Sequence, residues 1–150
     1  MKPLLVLLIS FIISLFMIRI ITGRFDAAFS GRIAMTVMLL FTALGHFLYP
    51  KGMSMMIPDF IPYKLFWVYL TAFIEIFAAI GLLIPIMTVK TGWFLIIFLL
   101  LILPANIYGA VKNVDYENAN YQGKGLNYLW FRIPLQVIYL AWIYLFAIEM

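Results

Sequence analysis

Glu75 stands near the centre of an apolar run, residues 65–87, that is long enough to cross a bilayer as a helix. A carboxylate at that depth is costly, so it is expected to face a polar partner, a pocket or a water path. Four further residues could share such a pocket. His46 lies about one turn from the end of an earlier apolar run, and Asn106 about one turn from the end of a later one. Arg132 lies about one turn into the last run, with Gln136 a turn deeper.

Arg132 and Gln136 are four apart, so they occupy one stripe of a helix and can point together into a bundle. The planar donors of Arg132 suit a carboxylate, and a Glu75–Arg132 pair beside a neutral His46 would carry no net charge. Without that contact Glu75 is expected to hold a proton, because desolvation penalises the ionised form. Residue order leaves both arrangements open. It also leaves open whether the five groups line a ligand pocket or serve as polar glue, which contributes on the order of 1 kcal/mol per interhelical hydrogen bond.

Composition sets the medium in which these groups act. Hydrophobic residues make up 67% of the 150-residue chain and charged ones 11%, and mean hydropathy is +1.11, far above the apolar share of an ordinary soluble domain. The chain therefore reads as an all-α integral membrane protein with no room for a separate soluble module. The absence of cysteine excludes disulfides and thiolate-bound metal or iron–sulfur centres. A single histidine removes bis-histidine haem ligation, so no metal and no intrinsic cofactor are expected. The net charge of +4 comes from scattered Lys and Arg, which does not read as a nucleic-acid surface.

Five apolar runs, at about 3–22, 33–49, 65–87, 93–110 and 128–148, must position the polar groups. Backbone amides in lipid have to be satisfied within the segment, so each run is expected to be a helix. The first carries Arg19 and no small-residue cleavage pattern, and it reads as a retained anchor rather than a cleaved leader. Polar or proline-bearing stretches separate the runs, and residues 88–92 read as a tight turn. The connection 50–64 keeps Met53, Met55, Met56, Ile57, Phe60 and Ile61 between terminal lysines. It is expected to lie at the headgroup level, either as a lid over a cavity or as a plain anchored hairpin.

With five spans, all five candidate polar residues fall towards one end of the bundle, the end that carries connection 50–64 and loop 111–127. Pro104 and Pro134 leave the carbonyls of Leu100 and Trp130 without helical amides, and Asn106 and Gln136 are close enough in sequence to serve them. Gly45, Ala78, Ala79 and Gly81 read as close-packing positions, and Trp67, Trp130, Tyr63 and Tyr128 as interfacial anchors. Three arginines at the C-terminal flank of the first helix, Arg19, Arg24 and Arg32, against one lysine before it favour an outside N-terminus.

Gly45-His46-Phe47 with Pro50, Ile57-Pro58 with Ile61-Pro62, Glu75-Ile76 with Gly81-Leu82-Leu83-Ile84-Pro85, Pro104-Ala105-Asn106-Ile107-Tyr108 and Arg132-Ile133-Pro134-Leu135-Gln136 form an ordered set. In order and spacing this set resembles the DoxX-like family of small bacterial membrane proteins, over residues 31–148. The resemblance implies a four-helix membrane domain, residues 31–150, preceded by an extra anchor helix and connector, residues 1–30. It also implies a bacterial inner-membrane location and an interior lined by His46, Glu75, Asn106, Arg132 and Gln136. The expected role is to bind a small amphiphile, a quinone or lipid, as an accessory protein. The alternatives are the membrane subunit of a thiosulfate:quinone type oxidoreductase, with a redox partner protein, and a membrane-protein assembly factor. A transporter is disfavoured by the short chain and the absence of an internal repeat.

Overall fold

Long apolar runs satisfy their backbone polar groups most cheaply within themselves. In the computed structural model, which describes residues 2–150, each of the five runs is helical. The elements are α1 (Lys2–Thr22), α2 (Ala27–Leu48), the short α3 (Pro50–Ser54), α4 (Lys64–Leu83) and α5 (Thr88–Val111). A 3₁₀ turn (Gly125–Tyr128) then leads into α6 (Leu129–Ile143), which runs on as a π-helical segment (Tyr144–Glu149). No strand occurs among the described residues, where one isolated bridge joins Asp115 and Asn120. Five helical stretches are long and apolar enough to cross a membrane.

Two helices start earlier than hydropathy places them. α2 begins at Ala27 rather than near 33 because Asp26 caps it, its Oδ1 accepting from the Phe29 amide at 2.9 Å. α5 begins at Thr88 rather than 93, where Thr88 Oγ1 lies 3.1 Å from the Leu82 carbonyl and 3.0 Å from that of Ile84. α4 accordingly stops at Leu83, and the tight turn is 84–87, not 88–92. Hydropathy counts apolar surface and does not see the side chains that nucleate a helix end.

α2, α4, α5 and α6 with its π-helical end close into a ring, and α2 packs most extensively against α4 and α1. One continuous core runs through the ring, including Met35, Leu39, Ala79, Leu82, Leu95, Leu99, Leu135 and Ile143. Small residues set the helix spacing: Gly81 lies against Thr91, Gly92 against Ala147 and Ile148, and Gly31 beneath the Phe146 ring. α6 is tied back to α2 by Trp142 Nε1, which donates to the Gly31 carbonyl at 3.0 Å, and by Arg32 Nε, which donates to the Phe146 carbonyl at 3.0 Å. α1 is peripheral, with only 11% of its apolar window buried. It is nonetheless joined to the core through fully buried Leu7 and through Phe11, whose ring meets Trp142 edge-on at 5.1 Å.

Helix direction alternates along the chain. One end of the bundle therefore gathers the start of α1, the connection through α3, and the loop 112–124. The other end gathers residues 23–26, turn 84–87 and the C-terminus.

Candidate functional site

The five candidate residues form two separate clusters, which run from His46, Asn106 and Arg132 near the α3 end to Glu75 and Gln136 near the middle of the bundle. The first joins α2 to α4. Glu75 is 6% exposed, and its Oε2 lies 3.1 Å from Thr42 Oγ1 and 3.5 Å from His46 Nδ1. His46 Nδ1 is 2.8 Å from the Thr42 carbonyl. A carbonyl only accepts, so Nδ1 carries the proton and Nε2 is the acceptor of the neutral ring. Thr42 Oγ1 is also 2.9 Å from the Leu39 carbonyl. One hydroxyl proton cannot serve both that carbonyl and Glu75, whereas a protonated Glu75 donating to Thr42 Oγ1 satisfies all three groups.

The second cluster joins α5 to α6. Arg132 Nη2 donates to Asn106 Oδ1 at 3.0 Å, and Gln136 Nε2 donates to the Leu99 carbonyl at 2.8 Å. The carbonyl served is thus that of Leu99, not Leu100, and Asn106 serves Arg132 instead of a proline-freed carbonyl. The reason is the helix rotation of about 100° per residue. Leu99 faces the core at 7% exposure, while Leu100 and Trp130 lie on the outside.

Glu75 and Arg132 form no ion pair, and no carboxylate pairs with Arg132 among the described residues. All six acidic residues are committed or distant. Asp26 caps α2 at the far end, where Glu149 also lies. Asp59 holds Lys64, Glu75 holds Thr42, and Asp115 is engaged by Asn118. Glu117 pairs with Lys2.

Two buried polar atoms have no partner among the described residues, Asn106 Nδ2 and the Tyr139 hydroxyl. Tyr139 stands seven residues after Arg132, two turns further along the same face of α6. In the adjoining loop, burial pushes the Tyr116 phenol pKa up, Glu117 and Tyr128 add to this, and Arg132 opposes it. Sequence reasoning passed over Thr42 and Tyr139. Spacing was the available signal, since Thr42 is four residues before His46, and Tyr139 is three after Gln136 and seven after Arg132.

The α3 connection covers this end. Met53 approaches Gly45, Met56 packs on Gly109, and a Cβ at Gly52 would overlap the Tyr116 carbonyl. At its base Asp59 Oδ1 accepts from Lys64 Nζ at 2.7 Å, and Tyr108 donates to Asp59 Oδ2 at 3.4 Å. Two hollows lie elsewhere. One is a tight crevice beside Gly31 and Trp142, and the other an open groove of about 290 Å³ between α4 and α5 near Lys90. No group of His, Asp and Glu among the described residues is arranged to hold a metal ion.

Fold and site together define an all-helical bundle with five helices apolar enough to cross a membrane and two buried polar clusters, one between α2 and α4 and one between α5 and α6. The chain belongs to the family described as a domain of unknown function, DUF8561, which matches residues 35–147 and so takes in all five candidate residues while leaving α1 outside. No curated protein and no solved structure matches it.

Proposed function

We propose that this is a multi-pass protein of a bacterial inner membrane, N-terminus outside, whose polar end binds the head of a small amphiphile, a quinone or a lipid, in an accessory role. The observation that carries this reading is unused hydrogen-bonding capacity in a buried place. Asn106 Nδ2, on the amide that Arg132 holds, and the Tyr139 hydroxyl, two turns along α6 from Arg132, are sealed from solvent without partners among the described residues. Interhelical glue alone does not account for them, because a buried donor without an acceptor costs about 1–3 kcal/mol. A ligand head group would supply the acceptors, and pockets of this kind combine apolar walls with a few convergent polar groups. The DoxX-like motif order supports the same reading, as does the packing of Met53 and Met56 on Gly45 and Gly109 at the neighbouring helix ends.

A second reading is favoured by one contact, the 3.5 Å approach of His46 Nδ1 to Glu75 Oε2. With Nδ1–H given to the Thr42 carbonyl, the basic Nε2 of His46 and the nearby Glu75 carboxyl are the groups suited to taking up and releasing protons, as the membrane subunit of a quinone-linked oxidoreductase requires. Native mass spectrometry after mild detergent extraction separates the readings. A retained quinone or lipid on the chain alone supports the accessory binder. A quinone together with a soluble redox protein favours the oxidoreductase subunit. A stable client protein with no small molecule would sink both and leave an assembly factor.

A further inference from the structure

The α5–α6 cluster is built almost wholly of donors. Arg132 spends one of its five N–H groups on Asn106. The Asn106 amide must keep its oxygen towards that guanidinium, so its Nδ2 faces away, buried and unpartnered. Tyr139, 8% exposed, brings a hydroxyl with no partner. The carboxylates that could answer this cation are engaged elsewhere or lie at the far end. A neutral carbonyl would use the donors but leave the guanidinium charge uncompensated, and a part-buried charge favours a counter-charge. Beside the cluster, Ile107 and Ile133 present exposed apolar side chains along which an alkyl chain can lie.

Resting on the amphiphile-binding reading, we propose that Arg132, Asn106 and Tyr139 form a receptor for an oxyanion, the phosphate- or carboxylate-type group of an anionic amphiphile or of a free anion. Arg132 supplies the charge and a planar fork that matches two oxygens. Asn106 Nδ2 and the Tyr139 hydroxyl supply the remaining donors.

The test is thermal unfolding of the full chain in a neutral detergent with four probes: dodecyl phosphate, dodecanol, decylubiquinone and inorganic phosphate. Dodecyl phosphate is expected to raise Tm with concentration, and Arg132→Gln to abolish the effect. Tyr139→Phe is expected to weaken dodecyl phosphate binding roughly tenfold, the worth of one hydrogen bond to a charged group. It should leave the Tm of the empty protein equal or higher, because the hydroxyl has no partner to lose. Stabilisation by dodecanol or decylubiquinone but not by dodecyl phosphate overturns the oxyanion receptor and leaves the amphiphile reading standing. Inorganic phosphate acting as strongly as dodecyl phosphate keeps the oxyanion site and overturns the amphiphile. No shift with any probe removes both. If Arg132→Gln does not fold, Tyr139→Phe decides alone, and an unchanged affinity for dodecyl phosphate overturns the proposal.

Discussion

Thr42 explains how a carboxylate is kept inside so apolar a bundle. Its hydroxyl meets Glu75 while its carbonyl fixes the His46 tautomer, so one residue organises both neighbours. A glutamine at position 75 can donate its amide to Thr42 Oγ1 as a protonated acid would. Glu75→Gln is therefore expected to cost less than about 1 kcal/mol, within the net worth of one neutral hydrogen bond. Arg132→Leu removes the only partner that Asn106 Oδ1 has among the described residues and leaves that amide unsatisfied there. Its expected cost is about 1–3 kcal/mol. Thermal unfolding of both variants in detergent checks the order, and negligible losses in both would show that neither side chain is held in a buried network.

Among the elements, the α3 connection has the most specific job, because it touches the ends of α2 and α5 and the loop before α6 at once. Its exit is pinned by Asp59, whose pKa is held below the ordinary 3.8 by the hydrogen bond and charge of Lys64. The folded-state pKa is depressed, so the contribution is complete above about 3.8 and is lost as pH falls through the lower folded value. Asp59 is fully exposed, which makes this a local tether and not a source of global stability. Protection of the backbone amides in segment 55–63, taken relative to their intrinsic exchange rate at each pH, should therefore fall below about pH 4, and Asp59→Asn should show the lower protection already at pH 6. A segment equally protected at both pH values would mean that methionine packing alone holds it.

At the scale of the whole molecule, the proposed membrane reading assigns the two ends of the bundle to opposite compartments. The chain has no cysteine, so single cysteines report cleanly. Phe60, 85% exposed, marks the end with the polar site, and Ile86, 86% exposed, marks the other. With the N-terminus outside, Phe60→Cys should react with a membrane-impermeant maleimide in intact cells, and Ile86→Cys only after permeabilisation. The reverse pattern would invert the orientation. Equal labelling of both in intact cells would remove the spanning arrangement.

The helical class, the five long helices and the placement of His46, Asn106 and Arg132 near one set of helix ends were legible in the sequence, whereas Glu75 and Gln136 lie near mid-helix. Apolar run length and the alternation of helix direction determine them without knowledge of any contact. The partners were not legible. Glu75 meets Thr42 and His46, while Arg132 meets Asn106, because α4 lies against α2 and α6 against α5. That helix order, and the rotation that turns Leu99 rather than Leu100 towards Gln136, follow from close packing at Gly31, Gly81 and Gly92. Helix ends also escaped hydropathy, since Asp26 and Thr88 set them through hydrogen bonds. Hydrophobicity is non-directional and records only that a surface must be covered; which surface covers it is decided by side-chain shape and hydrogen-bond geometry in three dimensions.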